Sequence, residues 1–154
     1  MSIPTTSNRL DSALLALRLV FGAIFIAHGA QKLFVFGLAG VSGAFGQMGI
    51  PLAGFTGPFI AFLEFFGGIA LVLGLLTRLA SLGLAFNMIG AILLVHLSAG
   101  FFLPNGVEFA LACLGASIAL TLTGAGRFSA DALIASRRSR AAGDVHSVVA
   151  RRAA

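Results

Sequence analysis

The chain has no tryptophan, no tyrosine, one cysteine and few charges: Asp, Glu, Lys and Arg make up only 10% of its 154 residues. Each shortage excludes something. Without Trp and Tyr the usual aromatic belt of a membrane interface is missing, so the 15 phenylalanines must fill part of that role. The lone Cys113 can form neither an internal disulfide nor a dithiol pair, and its apolar surroundings mark it as a small core or lipid-facing residue. So few charges against 58% hydrophobic residues cannot cover a water-soluble surface. The mean hydropathy of +1.04 requires that much of the apolar excess face lipid.

The charges that exist are unevenly placed. The formal net charge is +5, and six of the ten basic residues lie at or after Arg127. A basic end on so apolar a chain points to the anionic cytoplasmic surface of a membrane before it points to nucleic acid. No nucleic-acid partner is expected.

Residues 13–36 form the stretch that organises the rest. They are long enough to cross a bilayer, which takes ~20 residues, yet they carry Arg18 near one end and His28, Gln31 and Lys32 near the other. Arg9 ahead of an apolar run resembles a signal peptide, but the run outlasts the ~7–15 residues of an h-region and reads as a retained span. Residues 1–12 are expected to be a mobile cytoplasmic segment, with Asp11 or Ser12 capping the first helix. Residues 37–57 are glycine-rich and hold Val41, Ala44, Phe45 and Met48 at helical spacing, which predicts a short amphipathic segment at the membrane surface.

Further spans are expected at about 58–76, opening on Pro58, at about 79–98 after a tight Thr77-Arg78 connection, and at about 107–123 after a turn containing Pro104 and Asn105-Gly106. Ala112, Gly115 and Ala119 make a stripe of small residues on the last of these, suited to close helix packing. That packing fits contacts within one protomer and between protomers alike, so a homo-oligomer stays open. The reading is all-α: an integral membrane four-helix bundle over 13–135, with the short amphipathic segment between spans one and two and a basic cytoplasmic tail over 136–154, expected to be disordered or surface-bound.

Four spans put both termini on one side. Arg9, Arg18, Arg78, Arg127 and the tail fall on that side, so the positive-inside rule places both termini in the cytoplasm. The spans then deliver an ionisable layer to the opposite half of the membrane. At ~1.5 Å per residue His28 lies roughly 22 Å from the inner end of span one. Lys32 follows one turn later on the same face. Glu64 sits about 9 Å from the outer end of span two. His96 is near the outer end of span three, and Glu108 opens span four with the positive end of the helix dipole. A lone charge in hydrocarbon is costly, so Glu64 is expected to pair with Lys32 or His28.

Two readings of this layer stay open: a salt-bridge network that only fixes helix register, and a site that titrates, moves protons or hydrogen-bonds a quinone-like head group. No metal site is expected, because the His and Glu residues lack ligand spacing and Lys32 would oppose a cation. Asn87 lies nine residues before His96, on opposite faces of a straight helix, so it joins the layer only if the helix is irregular or His96 lies beyond its end; otherwise it bonds a neighbouring helix. Arg18 is expected to snorkel toward the cytoplasmic surface, with Asp131 as the alternative partner.

Several runs resemble the DoxX family of small bacterial inner-membrane proteins: Arg18-Leu19, Gly22, Phe25, His28-Gly29 and Lys32-Leu33 in span one; Glu64, Gly67-Gly68, Leu71, Leu73-Gly74 and Thr77-Arg78 around span two; Asn105-Gly106-Val107-Glu108; and Gly124, Gly126-Arg127-Phe128-Ser129 with Asp131. The resemblance implies a four-helix membrane bundle of the bacterial inner membrane, with Arg18, Thr77, Arg78, Arg127, Ser129 and Asp131 as a structural motif on the cytoplasmic side. It also implies a link to redox biology. Some relatives resemble a subunit of a thiosulfate:quinone oxidoreductase, and others associate with oxidative-stress enzymes. Without a cysteine pair, direct dithiol exchange is not expected. What remains is quinone or small-polar-ligand binding as part of an oxidoreductase system, or a non-catalytic anchor or assembly role for redox partner proteins.

Overall fold

The computed structural model describes residues 6–139. Everything regular in them is helical: α1 (Thr6–Ala30) runs on through a π-helical stretch, Gln31–Phe36, into α2 (Gly37–Gln47); α3 (Ala53–Leu73) and α4 (Thr77–Ala91) follow; α4 is prolonged by a π stretch, Ile92–His96, and a 3-10 turn, Leu97–Ala99; then come α5 (Glu108–Thr123) and a last helix, α6, over residues 130–139. Three helical runs are long and apolar enough to cross a membrane: Ser7–Gln47, Ala53–Leu73 and Thr77–Ala99. α5 is apolar but only 16 residues long, which is ~24 Å at the α-helical rise.

The sequence pattern explains the packing. On α1 the buried residues are Leu14, Arg18, Gly22, Phe25 and Gly29, recurring every three or four positions on one face. α3 buries Ala61, Glu64, Gly67, Gly68 and Leu71, and α5 buries Ala110, Cys113, Ala116, Ser117 and Leu120. These inner faces are built mostly of small residues. The large ones point outward: Phe55, Phe59, Phe62 and Phe66 on α3, Phe86 on α4 and Leu122 on α5 are all exposed. Small inside and large apolar outside is the arrangement that lipid stabilises and water does not.

Small residues let backbones meet. A Cβ on Gly22 would lie 2.9 Å from the Gly68 carbonyl oxygen, and one on Gly29 would lie 2.3 Å from the Phe65 nitrogen. α1 therefore packs against α3 almost backbone to backbone; α3 packs on α4, and α4 on α5. Gly37 (φ +68, ψ +161) breaks what would otherwise be one rod of ~60 Å. The break turns α2 back onto the first half of α3, where Val41 and Ser42 lie against Gly57.

Several boundaries differ from those the sequence suggests. α1 starts at Thr6, so neither Asp11 nor Ser12 is its cap; Asp11 Oδ1 instead accepts a hydrogen bond from the Arg127 backbone N–H at 2.9 Å. Pro58 lies inside α3, as the sixth residue of a helix that already begins at Ala53, so the i→i−4 bond to the Gly54 carbonyl is not made there. The tight connection is Gly74–Leu76 rather than Thr77-Arg78, since Thr77 is the first residue of α4. The stripe Ala112, Gly115 and Ala119 lies largely on the outward face of α5, where a Cβ on Gly115 would meet nothing. Residues 136–139 continue α6; the rest of the expected tail, from 140 on, and residues 1–5 lie outside the described residues.

Candidate functional site

The close approach of α1 and α3 sets up the site. Lys32 sits three residues beyond Gly29, and Glu64 is next to Phe65, the residue Gly29 touches. The two side chains are thereby driven together, and Lys32 Nζ donates to Glu64 Oε2 in an ion pair. It is the one salt bridge among the described residues. Glu64 is almost wholly buried at 5% exposure, and its second oxygen, Oε1, accepts from Asn87 Nδ2 on α4 at 2.9 Å. One carboxylate thus ties together three helices, with both oxygens used.

These groups face a cavity of about 990 Å³. His28 and His96 also line it, while the remaining wall is apolar, including Phe25, Ile60, Leu63, Ala110 and Cys113. Such a space with a few converging polar groups fits a small-molecule site. His28 is an exposed residue whose ring lies 5.7 Å from that of Phe109, tilted by 38°. His96 Nδ1 lies 2.8 Å from the Asn105 carbonyl oxygen.

Of the five residues expected to form the layer, the structure gathers four around the cavity. Glu108 is not among them. It opens α5, but its carboxylate turns back into the preceding loop and accepts from the Leu103 backbone N–H at 2.7 Å. Depth along a helix placed Glu108 at the right level without fixing where its side chain points. Asn87 does belong to the site, for a reason the ideal helix hides. On a straight α-helix nine residues leave Asn87 and His96 about 180° apart. Ile92–His96 is a π stretch, which winds more slowly and brings His96 round to the cavity that Asn87 lines. Cys113 belongs to the cavity wall as well, buried to 1%. Among the described residues no group of three or more His, Cys, Asp or Glu is gathered closely enough to hold a metal ion.

A second polar cluster sits at the opposite end of the helices. Arg18 does not snorkel: it is fully buried, and its guanidinium donates to the carbonyls of Leu71 (3.4 Å) and Phe128. Asp131 accepts instead from the backbone N–H groups of Leu76 (2.8 Å) and Thr77 (3.0 Å), capping α4. Ser129 Oγ donates to the Gly126 carbonyl at 2.6 Å and accepts from the Ala132 N–H at 3.2 Å. Arg127 reaches Asn8 Oδ1 at 3.3 Å, and Arg78 is exposed beside Gly124. Gly74, at φ +66, admits no side chain here, because a Cβ would sit 2.0 Å from Arg18 Nη1. Every acceptor of Arg18 and every donor to Asp131 in this cluster is main chain.

Two family models match the chain: DoxX over residues 13–97, and one described as "TQO small subunit DoxD" over residues 57–150. A Bacillus subtilis (strain 168) protein named "Putative oxidoreductase CatD" is 37% identical over 120 residues, 78% of this chain and 85% of its own length. "Uncharacterized membrane protein Rv3486" of Mycobacterium tuberculosis is 33% identical over 142 residues, covering 85% of this chain and 86% of that one. "Inner membrane protein YqjF" of Escherichia coli (strain K12) is 32% identical over 130 residues, 80% of this chain and 93% of that one. No solved structure gives a significant match. The matched residues contain most of α1 and all of α3 and α4, the framework that carries Lys32, Glu64 and Asn87, and with helices that expose large apolar side chains they describe a membrane protein: the chain belongs to the DoxX family.

Proposed function

We propose that the chain is a four-span protein of the bacterial inner membrane whose cavity binds a quinone or another small polar ligand as part of a redox system. The observation that carries this reading is the Lys32–Glu64–Asn87 constellation, facing a largely apolar cavity of about 990 Å³ with two histidines on its wall. A salt bridge present only to fix helix register would be packed over, since open space beside it forfeits contact energy. Here Lys32 is the cationic donor, His28 and His96 exchange protons, and Glu64 sets the charge of the group. The printed names of CatD and of the DoxD model support the redox setting.

α5 serves as the fourth span. Its buried face packs on α4, while Leu111, Ile118 and Leu122 point outward. Both termini then lie on one side, together with the exposed Arg9, Arg78, Arg127, Arg137 and Arg138. The positive-inside rule makes that side cytoplasmic and directs the cavity toward the outer leaflet.

The test is native mass spectrometry of the protein extracted gently from its own membrane, wild type beside Glu64→Gln. A co-purifying small molecule, lost in a variant that remains folded, is the expected result. A folded variant that retains it sinks the assignment. The exposed arginines also favour a second reading: a non-catalytic anchor or assembly factor that recruits redox partners to the cytoplasmic face. Ligand-free protein in both samples, carrying a partner protein that is lost on deletion of residues 136–154, would favour it.

A further inference from the structure

The cavity has a polar end and an apolar rim, and the contrast constrains both what enters and how. At the polar end the charges cancel. Lys32 is paired with Glu64, Asn87 occupies the second carboxylate oxygen, and among the described residues no other Asp, Glu, Lys or Arg lines the space. A charged head group would have to leave water for a site with no unpaired counter-charge. His96 adds a direction. The Asn105 carbonyl oxygen can only accept, so the Nδ1 beside it carries the proton, which in the tautomer with a single ring proton leaves Nε2 with a lone pair. That nitrogen accepts a hydrogen bond from a hydroxyl.

The rim is of another kind. Phe55 and Phe59 on α3, Phe86 and Leu94 on α4, Met48 and Leu103 all line the cavity and are exposed, at 48–67% of their surface. α3 and α4 touch where Leu63 meets Gly83 and Leu84 meets Gly67. Beyond those contacts, toward the loop end, the two helices present phenylalanines. Among the described residues no charged one stands at this rim. A mouth flanked by exposed phenylalanines on two spanning helices opens among lipid chains, not into water.

We propose that the cavity is loaded sideways from the hydrocarbon phase, between α3 at Phe59 and α4 at Phe86, by an uncharged amphiphile with a hydroxyl-bearing head and an apolar body. The head reaches Asn87 and His96 and the body fills the Phe-lined mouth. The proposal rests on the reading of the cavity as a ligand site, and adds the route and the chemical class.

Cys113 is the chain's sole thiol and forms part of the inner wall, so it reports access. The full chain in phospholipid vesicles is treated with N-phenylmaleimide, which dissolves in lipid, or with a sulfonated maleimide, which does not. The ratio of the two rates cancels the thiol's own reactivity. The expected result is modification by the first reagent alone, slowed several-fold in Phe86→Trp and quickened in Phe86→Ala. Equal reaction with the sulfonated reagent, reaction with neither, or no response to either substitution at the outward-facing Phe86 overturns the route. para-Decylphenol is expected to protect Cys113, while decylbenzene and para-decylbenzenesulfonate are not. Protection by the sulfonate overturns the ligand class. Lipid-route labelling that none of the three slows overturns the ligand-site reading and leaves the route standing. Aqueous labelling that the phenol still blocks does the reverse.

Discussion

The two ends of the helices handle buried charge in opposite ways. At one end Arg18, with no exposed surface, donates to main-chain carbonyls, and Asp131 accepts from main-chain N–H groups. At the other end Glu64, 5% exposed, bonds only to side chains, Lys32 and Asn87, beside open space. A charge bound to backbone is bound to groups every sequence has, so it fastens segments together. A charge held by side chains that also face a cavity can exchange partners with something that enters. The first arrangement is a clasp and the second is the kind of arrangement the proposed ligand site requires, although both look alike as polar residues in an apolar sequence.

Substitutions can break or sharpen that contrast. The largest effect is expected for Arg18→Met. It keeps the bulk of the side chain but leaves the Leu71 and Phe128 carbonyls without their donor, for a loss of about 3 kcal/mol. The thermal midpoint in detergent should fall steeply, while any bound ligand of the remaining folded fraction is retained; an unchanged midpoint would mean the clasp holds nothing. Asp131→Asn should cost about 1 kcal/mol, since the amide oxygen still accepts one N–H of the α4 start but loses the charge and the second bond. Its readout is faster amide hydrogen exchange at Leu76 and Thr77, with the loop end untouched. The smallest effect is expected for Glu108→Gln, about 0.3 kcal/mol from the helix dipole alone. It should leave ligand retention as in the wild type, and a loss of ligand there would extend the site to a residue that now points into the loop.

Much of this was legible in the sequence. The apolar runs, the turn at Pro104, and the level at which His28, Lys32, Glu64 and His96 meet all follow from reading residues along helices, whereas the second connection falls at Gly74–Leu76, ahead of the expected Thr77-Arg78. What counting cannot supply is direction and long-range return. Glu108 is at the expected level yet turns toward Leu103, because a first-turn side chain is free to follow the loop. Arg18 was expected to reach for water; its carbonyl partner is instead at Phe128, 110 positions away, where the segment after α5 folds under α1. Asp11 was expected to cap its own helix and instead receives Arg127, 116 positions away. An ideal 100° step sets Asn87 opposite His96, and the helix does not keep that step.

That broken step has a consequence for how the site tolerates change. A π stretch holds the same span of helix with one residue more than the regular winding needs. The chain stores this surplus in Ile92–His96. Removing a single residue there would let the helix wind regularly and leave His96 on the side it now faces; rewinding the full count as α-helix would instead turn His96 by about 100°, while every side chain of the constellation stayed chemically intact. The aim of His96 is thus written in a count rather than in a residue: a further insertion would turn it, and loss of the surplus residue would not.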